Sequence, residues 1–161
     1  MSVSYLIAFD KSLTKTNYLY KYILDSKKTV WGQSDGILFS DKLYPQEQEI
    51  ACSLFPQRKV YSIRSSVPLS YKGSDRVNIS DDYYLCEKEQ VVWFLNFLKK
   101  HIKSDEDVLF LKLNLGQPIN YSKILAKQVD INDIELSENE FTFDNYIYQF
   151  VNCKQNIKPL T

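Results

Sequence analysis

The stretch from Glu87 to Leu113 limits the fold more than any other part of the chain. Val91, Leu95, Leu98 and Ile102 recur at i, i+4, i+7 and i+11, and Val92, Phe94 and Phe97 widen the same stripe. That spacing predicts an amphipathic helix near residues 87–103. Glu87 and Glu89 open it and Lys99, Lys100, His101 and Lys103 close it, so each sign complements its end of the helix dipole. Ser104-Asp105-Glu106-Asp107 follows as a turn, and Val108-Leu109-Phe110-Leu111-Lys112-Leu113 is an apolar run suited to a central strand. With Tyr83-Tyr84-Leu85-Cys86 read as a short strand, residues 83–113 make a strand–helix–strand unit. Elements this apolar must bury their faces in layers, so the chain is predicted to be α+β, with a mixed or mainly antiparallel sheet packed against a few helices.

The remaining elements follow from shorter signals. Val3 to Phe9 reads as a strand, Pro45 to Leu54 as a helix with Pro at its first position, and Val60 to Ile63 as a strand. Thr14 to Leu24 fits helix and strand about equally. Gly32-Gln33-Ser34-Asp35-Gly36 suits a hairpin connection from Val30-Trp31 to Ile37-Leu38-Phe39, and residues 65–80 suit a long loop. Tyr121 to Lys127 is expected to be a short helix, and Phe141, Phe143 and Ile147 to Val151 a terminal strand or hairpin turning at Asp144-Asn145. At 161 residues, with no repeat and no linker, the chain is read as one domain over 1–161 with a frayed tail from about 152.

Chemistry is hard to find in it. His101 is the only histidine, which rules out a metal site built on two histidines of one chain and leaves a triad one place to stand. It sits in the last turn of a Lys-rich helix, where a solvated or capping role is the commoner one. Cys52, Cys86 and Cys153 have no metal-ligand or disulfide spacing and are expected to be small buried hydrophobes. No phosphate-binding glycine loop and no nucleophile elbow is present. A metal-dependent nuclease or other hydrolase is the alternative reading, with Asp81, Asp82 and Asp107 as acids and Lys112 beside them. Arg58, Lys59, Arg64, Lys72 and Arg76 lie near Tyr61 and Tyr71, but the near-neutral pI of 6.6 disfavours a dedicated nucleic-acid binder. No cofactor is expected. The first residues lack a basic leader pattern and no run is long enough for a membrane span, so a cytoplasmic protein is expected.

One feature stands out once catalysis is set aside. The net charge is zero, but the sequence through Lys103 has fifteen Lys and Arg against eleven acids, and the remainder has five against nine. Between Lys127 and Lys154 lie Asp130, Asp133, Glu135, Glu138, Glu140 and Asp144 with no basic residue, interleaved with Phe141, Phe143, Tyr146, Tyr148 and Phe150. Two readings of the segment stand open: an edge strand with acids outward and aromatics inward, or a docking surface for a basic partner. The docking reading uses Asp130, Asp133, Glu135, Glu138, Glu140, Phe141, Asp144, Tyr146 and Tyr148, and predicts weaker binding after charge reversal at Glu135, Glu138 and Glu140. In its Gly-poor, Tyr-, Lys-, Asn- and Ile-rich composition, unpatterned cysteines and acidic aromatic segment, the chain resembles small bacterial immunity proteins of the contact-dependent growth inhibition type. The resemblance implies a non-enzymatic inhibitor of one cognate toxin, often a nuclease whose basic surface is covered. It carries no motif and assigns no residue.

Overall fold

The computed structural model describes residues 3–11, 18–22, 35–65, 69–72, 81–102, 106–114, 119–144 and 146–153. Strand β1 (Val3–Phe9) is the middle of the main sheet, and its residues from Ser4 to Phe9 are all buried. Burial on both faces is what an unbroken apolar run requires. The other strands are β2 (Tyr18–Tyr22), β3 (Asp35–Ser40), β4 (Lys59–Ser65), β6 (Val108–Asn114), β7 (Leu125–Asp130) and β9 (Tyr146–Val151). They lie in the order β2-β3-β4-β1-β6-β9-β7. Every neighbouring pair is antiparallel except β7 and β9, which run parallel in register from Leu125↔Tyr146 to Asp130↔Val151. The sheet is therefore mixed, and the domain is α+β as expected.

Two helices cover its two faces. Helix α1 (Pro45–Leu54) packs Ile50, with Phe55 just beyond its end, onto Leu6, Ala8, Leu111 and Leu113. Helix α2 (Asp81–His101) packs Val91, Phe94, Leu95 and Leu98, with Ile102 just beyond its end, onto Tyr5, Ile7, Phe9, Phe110, Tyr148 and Phe150. Alternation along β6 thus sends Phe110 to the α2 face and Leu111 to the α1 face. None of the described helices is long and apolar enough to cross a membrane.

Helix α1 begins as its sequence indicates. Pro45 takes the first position, and the Glu47 carboxylate reaches back to accept the Tyr44 N–H at 2.9 Å. It ends in a turn closed by Arg58 N–H donating to Phe55 C=O at 3.3 Å. Pro56 and Gln57 occupy the turn's centre, and Gln57 has φ of 69°, the left-handed value a type II turn needs at its third residue.

Several expectations are corrected. Tyr83 to Cys86 is not a strand: α2 starts at Asp81, and Glu87, rather than opening the helix, is buried within it. Aromatic residues tolerate both states, and Asp81-Asp82 at the start favours a helix through its dipole. The strand before α2 is instead β5 (Tyr71–Lys72), inside the stretch read as loop, and it pairs with β8 (Glu140–Phe141). Tyr121–Lys123 forms a single 3₁₀ turn, and the residues expected to extend it become β7 because β9 is there to pair with. Within Thr14 to Leu24 the described part, β2, is a strand. The residues 30–34 of the proposed hairpin lie outside the described residues, and Gly36 is part of β3. Cys52 and Cys153 are exposed rather than buried, and the side chain of Cys86 lies outside the described residues. Asn152 is buried and donates to Lys99 C=O at 3.3 Å, and the rest of the tail expected to fray, from residue 154 on, lies outside the described residues.

Candidate functional site

Parallel strands cannot be joined by a tight turn, and the chain must cross over the sheet between them. Here the crossover between β7 and β9 is the acidic segment itself, running over the α2 face with a single 3₁₀ turn (Ile131–Asp133) in place of an α-helix. Apolar pegs hold it down. Ile131 and Phe143 are buried in the core under α2, and Ile134, Leu136 and Phe141 pack against that core. At one end the Asp130 carboxylate accepts the Asn132 N–H at 3.0 Å and its side-chain amide at 2.8 Å, while that amide also donates to Asn152. In the middle, Tyr71 donates its hydroxyl to Ser137 C=O at 2.6 Å and stacks on Phe141. At the far end Lys112 donates to Phe143 C=O at 3.2 Å, and the Asp144 N–H donates to the Tyr148 hydroxyl at 2.7 Å.

The crossover stands off β7 and leaves a groove of about 390 Å³. Its floor is aromatic: Phe143, Tyr148 and Phe150, with Phe141 on one wall. Asp130, Asp133 and Asp144 stand around it as three carboxylates, against one ammonium, Lys127. Hydrogen bonds from Asn132, helped by Cys153, hold the Asp130 carboxyl below its ordinary pKa, so it is firmly charged at neutral pH. Burial, with the Asp144 charge adding to it, raises the Tyr148 hydroxyl despite the N–H it accepts, and keeps it a neutral phenol. Burial lowers the Lys112 ammonium, Lys72 adds to that, and Asp144 opposes it. The site can therefore offer carboxylates to a cation and ring faces to its apolar part.

Of the nine residues the sequence assigned to docking, Asp130, Asp133, Phe141, Asp144 and Tyr148 come together here. Glu135, Glu138 and Glu140 are exposed on the crossover but do not line the groove. Tyr146 does not line it either; its ring centroid is 6.2 Å from that of Tyr148, the two rings edge to face. Sequence reasoning left Phe143 and Phe150 out of the site although both were among the interleaved aromatics. It missed Lys127 altogether, because β7 could not be seen as a strand.

The alternative constellation does not assemble from its described members. Asp107 belongs to the α1 face, where Arg58 donates to it at 2.8 Å and Gln149 at 2.6 Å. Lys112 points to the opposite face, toward Phe143, while Asp81 and Asp82 stand in the first turn of α2 with side chains outside the described residues. Arg58, read from sequence as part of a basic cluster, is committed to Asp107 and to Asp10 at 3.5 Å. His101 sits at the end of α2, its Nδ1 2.9 Å from Phe97 C=O and its ring stacked on that of Phe97.

Asp107 makes a test of this network. Burial alone would raise its pKa, but the Gln149 and Arg58 hydrogen bonds and the Arg58 charge outweigh that and lower it. A carboxyl lowered on folding stabilises the fold above its unfolded pKa of about 3.9, and that stability is lost as pH falls through the lower, folded value. Asp107→Asn is expected to be less stable than the parent at neutral pH and to flatten the acid limb of a plot of unfolding free energy against pH. An unchanged acid limb would show that the Arg58–Asp107 pair is not formed in solution.

No family model, curated protein or solved structure matches this chain.

Proposed function

We propose that this chain is a non-enzymatic protein-binding module that neutralises one cognate toxin domain, in the manner of an immunity protein, by receiving a basic segment of it in the crossover groove. The observation that carries the reading is the convergence of Asp130, Asp133 and Asp144 around a floor of Phe143, Tyr148 and Phe150. Carboxylates around a concave aromatic floor suit lysine and arginine side chains, whose charged heads meet the acids while their stems lie on the rings. Long-range attraction from the acidic crossover speeds encounter, and the aromatic floor holds the complex once it forms. A cytoplasmic setting belongs to the same proposal.

The test is binding to a toxin domain encoded beside this chain, measured by titration calorimetry and by protection of cells that express the toxin. Neutralising the groove with Asp130→Asn, Asp133→Asn and Asp144→Asn together is expected to weaken binding by about 10- to 100-fold, the scale of desolvated interfacial charges. Reversing Glu135, Glu138 and Glu140, which lie outside the groove, is expected to cost less, mainly in association rate. Equal affinity for parent and groove variant would remove the groove from the interface. A toxin domain that is neither bound nor neutralised would end the immunity reading.

A further inference from the structure

Strand β7 is the open end of the main sheet. Its six residues use one edge to pair with β9, and among the described residues no strand flanks the other. The exposed edge of such a strand carries a row of N–H and C=O groups that can pair with a further strand. Native sheets usually blunt an edge with proline, a bulge or charge; Leu125-Ala126-Lys127-Gln128-Val129-Asp130 has no proline, and Lys127 is its one charge within the strand interior. Leu125 to Gln128 are exposed on both faces of the sheet, Leu125 at 59%.

The groove and this edge adjoin. Side chains of successive strand residues point to opposite faces, so a pocket on one face should collect every second residue. Instead the consecutive residues Lys127, Gln128, Val129 and Asp130 all line the groove. Lys127 and Val129 share a face with Tyr148 and Phe150, their partners in register, so the groove lies on that face and borders the edge strand β7. We propose that its occupant is an extended basic segment of the partner protein, added to the sheet as a strand beside β7. Backbone hydrogen bonds to β7 supply affinity, and alternate lysine or arginine side chains reach Asp130, Asp133 and Asp144. The surplus of carboxylates selects a basic strand, and Lys127 on both copies works against β7 pairing with a second copy of this chain. The inference rests on the groove being the partner site, and specifies how the partner lies in it.

The experiment uses the full chain and two blocked synthetic peptides, one of alternating lysine and valine and one of the same length with a central proline. Binding is measured by calorimetry, and amide exchange over residues 125–130 by hydrogen–deuterium exchange. The alternating peptide is expected to bind and to slow exchange in β7 at least about fivefold, while proline, lacking the N–H, weakens binding about tenfold. Binding with β7 exchange unchanged and the two peptides equal overturns strand addition but leaves the acidic groove as a site for basic segments. Failure of both peptides to bind overturns the groove reading with it. Concentration-dependent protection of β7 without peptide assigns the edge to a second copy and overturns the proposal.

Discussion

Phe110→Ala is expected to lower the free energy of unfolding by about 3–5 kcal/mol, the range for a large aromatic removed from a packed core. Phe110 is fully buried on the α2 face of β6. Its ring centroid lies 5.7 Å from that of Tyr5, 5.4 Å from Phe94, 4.7 Å from Phe143 and 5.9 Å from Phe150. The cavity left behind would be walled by rings that cannot collapse without leaving their own rotamers. A small domain holds only about 5–15 kcal/mol in total, so the loss is a large share of it and lowers Tm on the order of 10 °C. Two of these rings, Phe143 and Phe150, also make the floor of the groove, so the variant is expected to lose partner binding as well as stability. Denaturant unfolding followed by circular dichroism measures the first effect. A loss below about 1 kcal/mol would show that these rings are not packed together, since that is less than a buried leucine typically gives.

Glu47→Ala is expected to cost about 2–4 kcal/mol, from hydrogen bonds to a charged group and the unmade bonds left behind. Glu47 is 1% exposed and accepts three hydrogen bonds: Ser4 Oγ at 2.7 Å and Ser62 Oγ at 2.6 Å on Oε2, and the Tyr44 N–H on Oε1. One carboxylate thus ties the start of α1 to two adjacent strands, β1 and β4. Alanine strands two buried hydroxyls and an N–H at a helix start and opens a void as well. Glu47→Gln is expected to cost less but not nothing. Its amide presents an acceptor on one side only, so either Tyr44 N–H or the serine pair meets a donor. Ser4→Ala and Ser62→Ala together in the Glu47→Ala background should recover part of the loss, because the orphaned hydroxyls go with their partner. Wild-type stability in Glu47→Ala would mean that the buried cluster does not form.

What could be read from the sequence divides along a physical line. Val3 to Phe9, Pro45 to Leu54 and Val108 to Leu113 declare themselves, because burial on both faces, a proline start and an apolar run are properties of the segment alone. Pairing is not. Leu125 to Asp130 has neither period 2 nor period 3.6, since a strand exposed on both faces needs no alternation, and only its register with β9 makes it a strand. Missing β7 meant missing that residues 131–144 belong to a crossover. The acidic segment then looked like either an edge strand or a flat surface, when β9 in fact lies inside the sheet between β6 and β7. The interleaving of acids and aromatics was visible from the start, but which acids converge was not. That is decided by Ile131 and Phe143, whose burial turns Asp130, Asp133 and Asp144 toward one groove and leaves Glu135, Glu138 and Glu140 outside it.

The central claim is that this groove, rather than the acidic segment as a whole, receives a basic chain. Titrating the ¹⁵N-labelled protein with octalysine, at low salt and again at high salt, addresses it directly. Amide shifts are expected to concentrate at Lys127 to Asp133 and Phe141 to Phe150, to fade as salt screens the charges, and to be absent when Asp130, Asp133 and Asp144 are all asparagine. Shifts centred on Glu135, Glu138 and Glu140, or shifts that persist unchanged in the asparagine variant, would contradict it.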